Sequence, residues 1–163
     1  MKPLYQAILA SALISLTAPR TTHAQEHGNG QSVPGQADAQ QDIAITDISL
    51  HLPPTQGSGR TELYFSLTNN SHTTHLLTGV VSPACGTLVG YHADQENTSG
   101  TRRLFQHLAL PETTTLVFAG AGYHMLCVNP VAQVLTQSNV AVTFQFLGGS
   151  SKTVSAPVTS AAQ

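Results

Sequence analysis

Charge is scarce in this chain of 163 residues: six Lys and Arg and eight Asp and Glu, for a formal net charge of -2. No basic patch is available for a phosphate backbone and no acidic run for a solvating tail, so nucleic acid is excluded as a partner. Tryptophan is absent and cysteine occurs only twice, at Cys85 and Cys127. A zinc ribbon or a dense disulfide scaffold therefore has no ligands to draw on. Apolar runs are short as well. The longest, Leu4 to Ala18, falls below the roughly 20 residues needed to span a bilayer. Phosphate loops and nucleophile elbows are also missing, and the few acids fall mostly in loops, so an enzyme is not expected.

Histidine is abundant by contrast. Eight of them outnumber Lys and Arg combined, which directs attention to metal chemistry. The start of the chain, a lysine followed by the apolar run and then Thr22 and Ala24 at the -3 and -1 positions of a cleavage site, reads as a secretory signal peptide over residues 1–24. Residues 25–42 are polar, rich in Gly and Gln and without an apolar period, and read as a flexible tether. Export to the periplasm or beyond bears on Cys85 and Cys127, since an oxidising compartment favours a disulfide over the alternative of a buried thiol pair.

From Ile43 onward the pattern is that of strands. Leu63, Phe65 and Leu67 alternate with Glu62, Tyr64, Ser66 and Thr68, and Val140, Val142, Phe144 and Phe146 share another face. Further short strands fit residues 43–52, 75–82, 86–92, 102–110, 114–120, 122–128 and 150–157, separated by Gly, Pro and Asn. About nine short strands with no long helical period predict an all-β, antiparallel Greek-key sandwich over residues 43–158, with 159–163 as a disordered tail.

The segment Gly122-Tyr123-His124-Met125-Leu126-Cys127 sets three metal-capable side chains close together. In a strand they do not converge: His124 and Leu126 share one side, Met125 and Cys127 the other. Met125 and Cys127 suit the interior, one as core filler and one as half of a bridge, which leaves His124 on the outer face as the candidate ligand.

Three stretches, "ITDISLHLPPTQGSGRTELYFSLTNNS", "VVSPACGTLVGYH" and "LALPETTTLVFAGAGYHMLC", together resemble the periplasmic copper chaperones of the PCu(A)C type. That resemblance covers essentially the whole domain and implies a cupredoxin-like sandwich. It further implies a Cu(I) site made by a His, a Met some ten residues on and, after a longer gap, a His-x-Met. By position the two histidines are His92 and His124, whereas Arg102 and Leu126 stand where the methionines belong.

Thioethers select Cu(I), so their loss weakens that preference. Met125 would supply a soft donor only if a bulge turned it outward. His51, His72, His75 and His107 are read as solvated or hydrogen-bonded side chains. The resemblance implies delivery of Cu(I) by ligand exchange to the binuclear copper site of a cytochrome oxidase subunit or to another copper carrier. The alternative is a degenerate relative that carries no metal and binds a protein partner. One further copper site is independent of the sandwich: cleavage after Ala24 leaves Gln25-Glu26-His27, whose amine, two amides and His27 ring can form a square-planar Cu(II) site.

Overall fold

The computed structural model of the protein describes residues 36–54 and 59–160. Among these residues nine strands form two packed layers, the sandwich that the alternating segments call for and of the cupredoxin-like kind that the resemblance implies. One layer joins β1 (Ile43–Leu52), β2 (Glu62–Asn69), β7 (Tyr123–Pro130) and β4 (Cys85–His92), with β6 (Thr115–Phe118) on the far half of β2. The other joins β8 (Asn139–Phe146), β3 (His75–Val81) and β5 (Leu108–Leu110). β9 (Ser151–Ser160) belongs to both, antiparallel to β8 over residues 151–157 and parallel to β1 over residues 158–160. That parallel stretch departs from an entirely antiparallel sandwich.

Alternation decides which side chains meet in the middle. Leu63, Phe65 and Leu67 from β2 face Val140, Val142, Phe144 and Phe146 from β8, and all seven are buried. Phe65 is the hub, with ring centroids 5.1 Å from Phe144, 5.0 Å from Phe118 and 5.7 Å from Phe105. The apolar positions of β1 change phase between Ile43 and Leu50 because the strand carries one residue more than β2 between Thr46 and Ser49. Asp47 takes the left-handed turn of this bulge, at φ 51°.

Three expectations need correction. Residues 102–110 are not one strand: a short helix α2 (Ser99–Arg102) and a 3-10 turn (Leu104–Gln106) precede β5. The irregular path drives Phe105 into the core, where it is buried against Phe65 and Phe118. The flexibility expected up to residue 42 does not hold for residues 36–42, since Ala39–Asp42 forms a helical turn, α1, and both Gln36 and Ala39 are buried. Gln36 donates to the Thr74 carbonyl, and Asp42 Oδ2 lies 2.7 Å from Nε2 of the fully buried His75. At the other end Thr159 and Ser160 are strand and not tail.

Gly90 admits α2. A Cβ at this position would overlap the Thr101 carbonyl oxygen and touch the Phe105 ring, so Gly90→Ala must push α2 off β4. We expect this overpacking to cost about 1–3 kcal/mol, read as a lower melting temperature. An unchanged melting temperature would show that α2 is not seated on β4.

Candidate functional site

His124 is built into the outer surface of the β1–β2–β7–β4 layer, but it is not exposed there. β4 pairs Tyr91 with His124, and Tyr64 of β2 meets the ring from the other side. Ring centroids lie 5.2 Å away for Tyr91 and 5.5 Å for Tyr64, the latter edge-on at 89°. Between the two tyrosines His124 is 1% exposed. Gly120 allows this cover, because a Cβ there would stand 2.7 Å from the Tyr64 hydroxyl.

Hydrogen bonding fixes the imidazole. Nδ1 lies 3.0 Å from the Gly122 carbonyl oxygen, and since a carbonyl only accepts, Nδ1 carries the proton. In the neutral ring this leaves the Nε2 lone pair free. Nε2 is buried with no hydrogen-bond partner and faces Glu62 Oε1 at 3.6 Å. Two acceptors so placed repel unless a proton or a cation is shared between them.

Glu62 is held from its other oxygen, which accepts a short hydrogen bond from the Tyr64 hydroxyl. Burial, followed by that bond and the carboxylate charge, pushes the Tyr64 phenol up to about 12 from its ordinary 10.0. His51 stacks on Tyr64 at 4.4 Å. Both of its ring nitrogens are engaged, one with Ser49 and one with Thr159. Burial lowers the His51 pKa, partly offset by Glu62.

The Tyr64 shift has a measurable sign. A phenol whose pKa is raised on folding binds its proton more tightly in the native state, so the associated stability is complete below pH 10 and fades as pH rises toward 12. Alkaline titration followed by tyrosinate absorbance should show a late phase that Tyr64→Phe removes. A titration without that phase would mean that Tyr64 is not held by Glu62.

The second expected ligand lies elsewhere. The ladder pairs His92 with Tyr123, one step from the Tyr91–His124 pair, so His92 and His124 project from opposite faces. His92 Nδ1 accepts from the Asp94 amide at 3.1 Å, and its ring meets Tyr123 at 4.5 Å. The rescue by Met125, the one methionine after Met1, does not occur. β4 and β7 keep one continuous register from Thr87–Val128 to His92–Tyr123, so no bulge re-aims Met125, which is buried in the core. Among the described residues no three His, Cys, Asp or Glu side chains gather as a metal site. Residues 25–27 lie outside the described residues.

Cys85 and Cys127 form the disulfide, with Cα atoms 5.3 Å apart. The two positions where the resemblance would place methionine converge as well: Arg102 and Leu126 line one cavity of about 330 Å³ together with Arg60, Tyr91 and Val89. Arg60 donates to the Tyr91 hydroxyl at 2.9 Å, with its guanidinium 4.6 Å from that ring's centroid. Sequence reading placed Glu62 and Tyr64 on the outer face of their strand. Their grouping with His124 and Tyr91 required the pairing of β2 and β4 around β7, which no single segment shows.

Comparison with known proteins supports this architecture. The family model "LpqE-like" matches residues 43–158. A copper-bound PCuAC domain from PmoF2 superposes with a TM-score of 0.58 at 22% identity, covering 74% of this chain and 94% of that domain. The apo PCuAC domain from PmoF1 gives 0.56 at 18% identity, covering 74% and 95%. Apo-DR1885 from Deinococcus radiodurans gives 0.56 at 18% identity and covers 97% of each chain. At these identities the likeness is one of fold. No curated protein matches.

Proposed function

Since this chain belongs to the LpqE-like family and has the fold of PCuAC domains, we propose that it is an exported, non-catalytic recognition domain. It retains the copper-chaperone sandwich and engages a protein partner without a Cu(I) centre of the family type. The observation that carries this reading is the cavity at Arg102 and Leu126. Where two thioethers would be needed, it presents an aliphatic side chain and two permanent cations, and fixed positive charge opposes a bound metal ion. Export is supported by the leader-like residues 1–24 and by the disulfide, a bond that persists in oxidising compartments.

The deciding experiment is competition for Cu(I) against a chromophoric chelator, with the protein and its His92→Ala/His124→Ala variant side by side. Equal, negligible withdrawal of copper by both is the expected result. Strong withdrawal that the double variant loses would overturn the proposal.

A second reading, copper handling, is favoured by one feature. The lone pair of His124 Nε2 has its tautomer fixed by Gly122 and a carboxylate oxygen 3.6 Å away, an arrangement typical of a metal-binding imidazole. The N and O donors suit Cu(II) or Zn(II) better than Cu(I). In that reading the protein passes copper by ligand exchange to a cytochrome oxidase copper-site subunit or another carrier. Titration with Cu(II) that shifts the His124 ring resonances and is abolished by Glu62→Gln would favour it.

A further inference from the structure

We propose that the cavity between β4, β7 and α2 is a carboxylate-recognition site that takes the C-terminal end of a partner polypeptide. This rests on, and sharpens, the recognition-domain reading above.

Arg60 and Arg102 border the same 330 Å³ space. Among the described residues the ion pairs within 4.0 Å are His75–Asp42 and His124–Glu62, so neither guanidinium has a carboxylate there. Residues 55–58, which precede Arg60, are Thr, Gln, Gly and Ser and contain no acid. Among the described residues no anion stands between these two cations, which repel each other, and an incoming anion relieves that repulsion.

One of the two guanidinium groups is preorganised. Arg60 is set by its bond to the Tyr91 hydroxyl and by stacking on the Tyr91 ring. Because that hydroxyl oxygen accepts from Arg60, its own proton is left to donate to a bound anion. Asn97 adds nothing, since its side chain is spent on His92 and Gln95. Planar guanidinium forks match a carboxylate with paired hydrogen bonds.

The remaining surface argues against a bare inorganic anion. Val89, Leu126 and Val128 provide apolar walls. Beyond Arg60 a second cavity of about 350 Å³ shares Arg60, Leu126 and Val128 and continues to Pro53 and Pro130. A ligand filling both would set its carboxylate between the arginines and lay an apolar side chain along Leu126. The last residues of a polypeptide combine those two features, as in other captures of a chain terminus.

The test uses the mature protein and the probe peptide acetyl-Ala-Leu-Val-Leu, as the free acid and as the C-terminal amide, at constant ionic strength. The free acid should bind saturably and shift the Arg60 and Arg102 side-chain Nε–H and Leu126 amide resonances. The amide should bind at least tenfold more weakly. Arg60→Gln and Arg102→Gln should each lose at least tenfold, and because both side chains are exposed neither change should disturb the fold. Equal binding of acid and amide, indifference to both substitutions, or displacement by inorganic phosphate at the peptide's own concentration would overturn the proposal. So would saturation by hexanoate as tight as by the peptide, which would point to a small-molecule carboxylate. Copper competition is a separate readout, so failure here and failure of the recognition-domain reading are told apart.

Discussion

Reduction of the Cys85–Cys127 bridge lowers the stability of this domain by about 4 kcal/mol, the chain-entropy value for a closed loop of this protein's separation of 42 residues. The bridge ties the start of β4 to the middle of β7, and both cysteines are nearly buried. Opening it frees a loop that contains α2, β5 and β6. A loss of that size is a large part of the roughly 5–15 kcal/mol that holds a typical domain together. Denaturant unfolding with and without reductant, and of Cys85→Ala/Cys127→Ala, measures it. Coincident unfolding curves would mean that the loop is held by its other contacts alone.

The second large effect is a gain. Arg102→Met with Leu126→Met raises Cu(I) affinity at least tenfold, about 1.4 kcal/mol, over the natural chain. Both positions line one cavity, and position 126 projects from the same face of β7 as His124. The pair of substitutions adds two soft donors and removes one cation from a place where the cation opposes metal. Chelator competition reads the gain, and His124→Ala in the same background should erase it. If the double variant binds no better, the positional correspondence with the chaperones is wrong at this site. The same variant should lose the carboxylate peptide, because one guanidinium has gone.

The strands that sequence reading resolves best are β2 and β8, where strict alternation puts Leu63, Phe65 and Leu67 or Val140, Val142, Phe144 and Phe146 on one buried face. Residues 102–110 show the limit. Leu104, Gln106, Leu108 and Leu110 mimic a strand locally, but the path is set by the space that Gly90 leaves for the Thr101 backbone. That is a tertiary contact, and tertiary contacts override local pattern. The candidate site divides the same way. Alternation within β7 separates His124 from Met125 and Cys127 as observed, since it concerns one strand alone.

Whether His92 shares a face with His124 depends on the register between β4 and β7. A shift of one residue there exchanges the faces. Pairing of Tyr91 with His124 hides the imidazole and turns His92 to the other side. Arg60 was out of reach for a similar reason, since it precedes β2 and stands 31 residues from Tyr91 in sequence, with no local pattern linking the two.

β9 has a consequence for the order in which this protein can become itself. The final strand is the seam of the sandwich: it lies against β8 on one side and, through Val158, Thr159 and Ser160, against Leu50, His51 and Leu52 of the first strand on the other. Joining the first strand to the last is the most distant closure the domain makes, and such closures come late. In the export proposed above, a chain threaded from its N-terminus has β1 through the pore long before β9 follows. Until then Leu50 and its neighbours have β2 beside them but lack β9, so under that proposal completion waits for passage of nearly the whole chain. A C-terminal fusion would hang from that seam, next to Leu52.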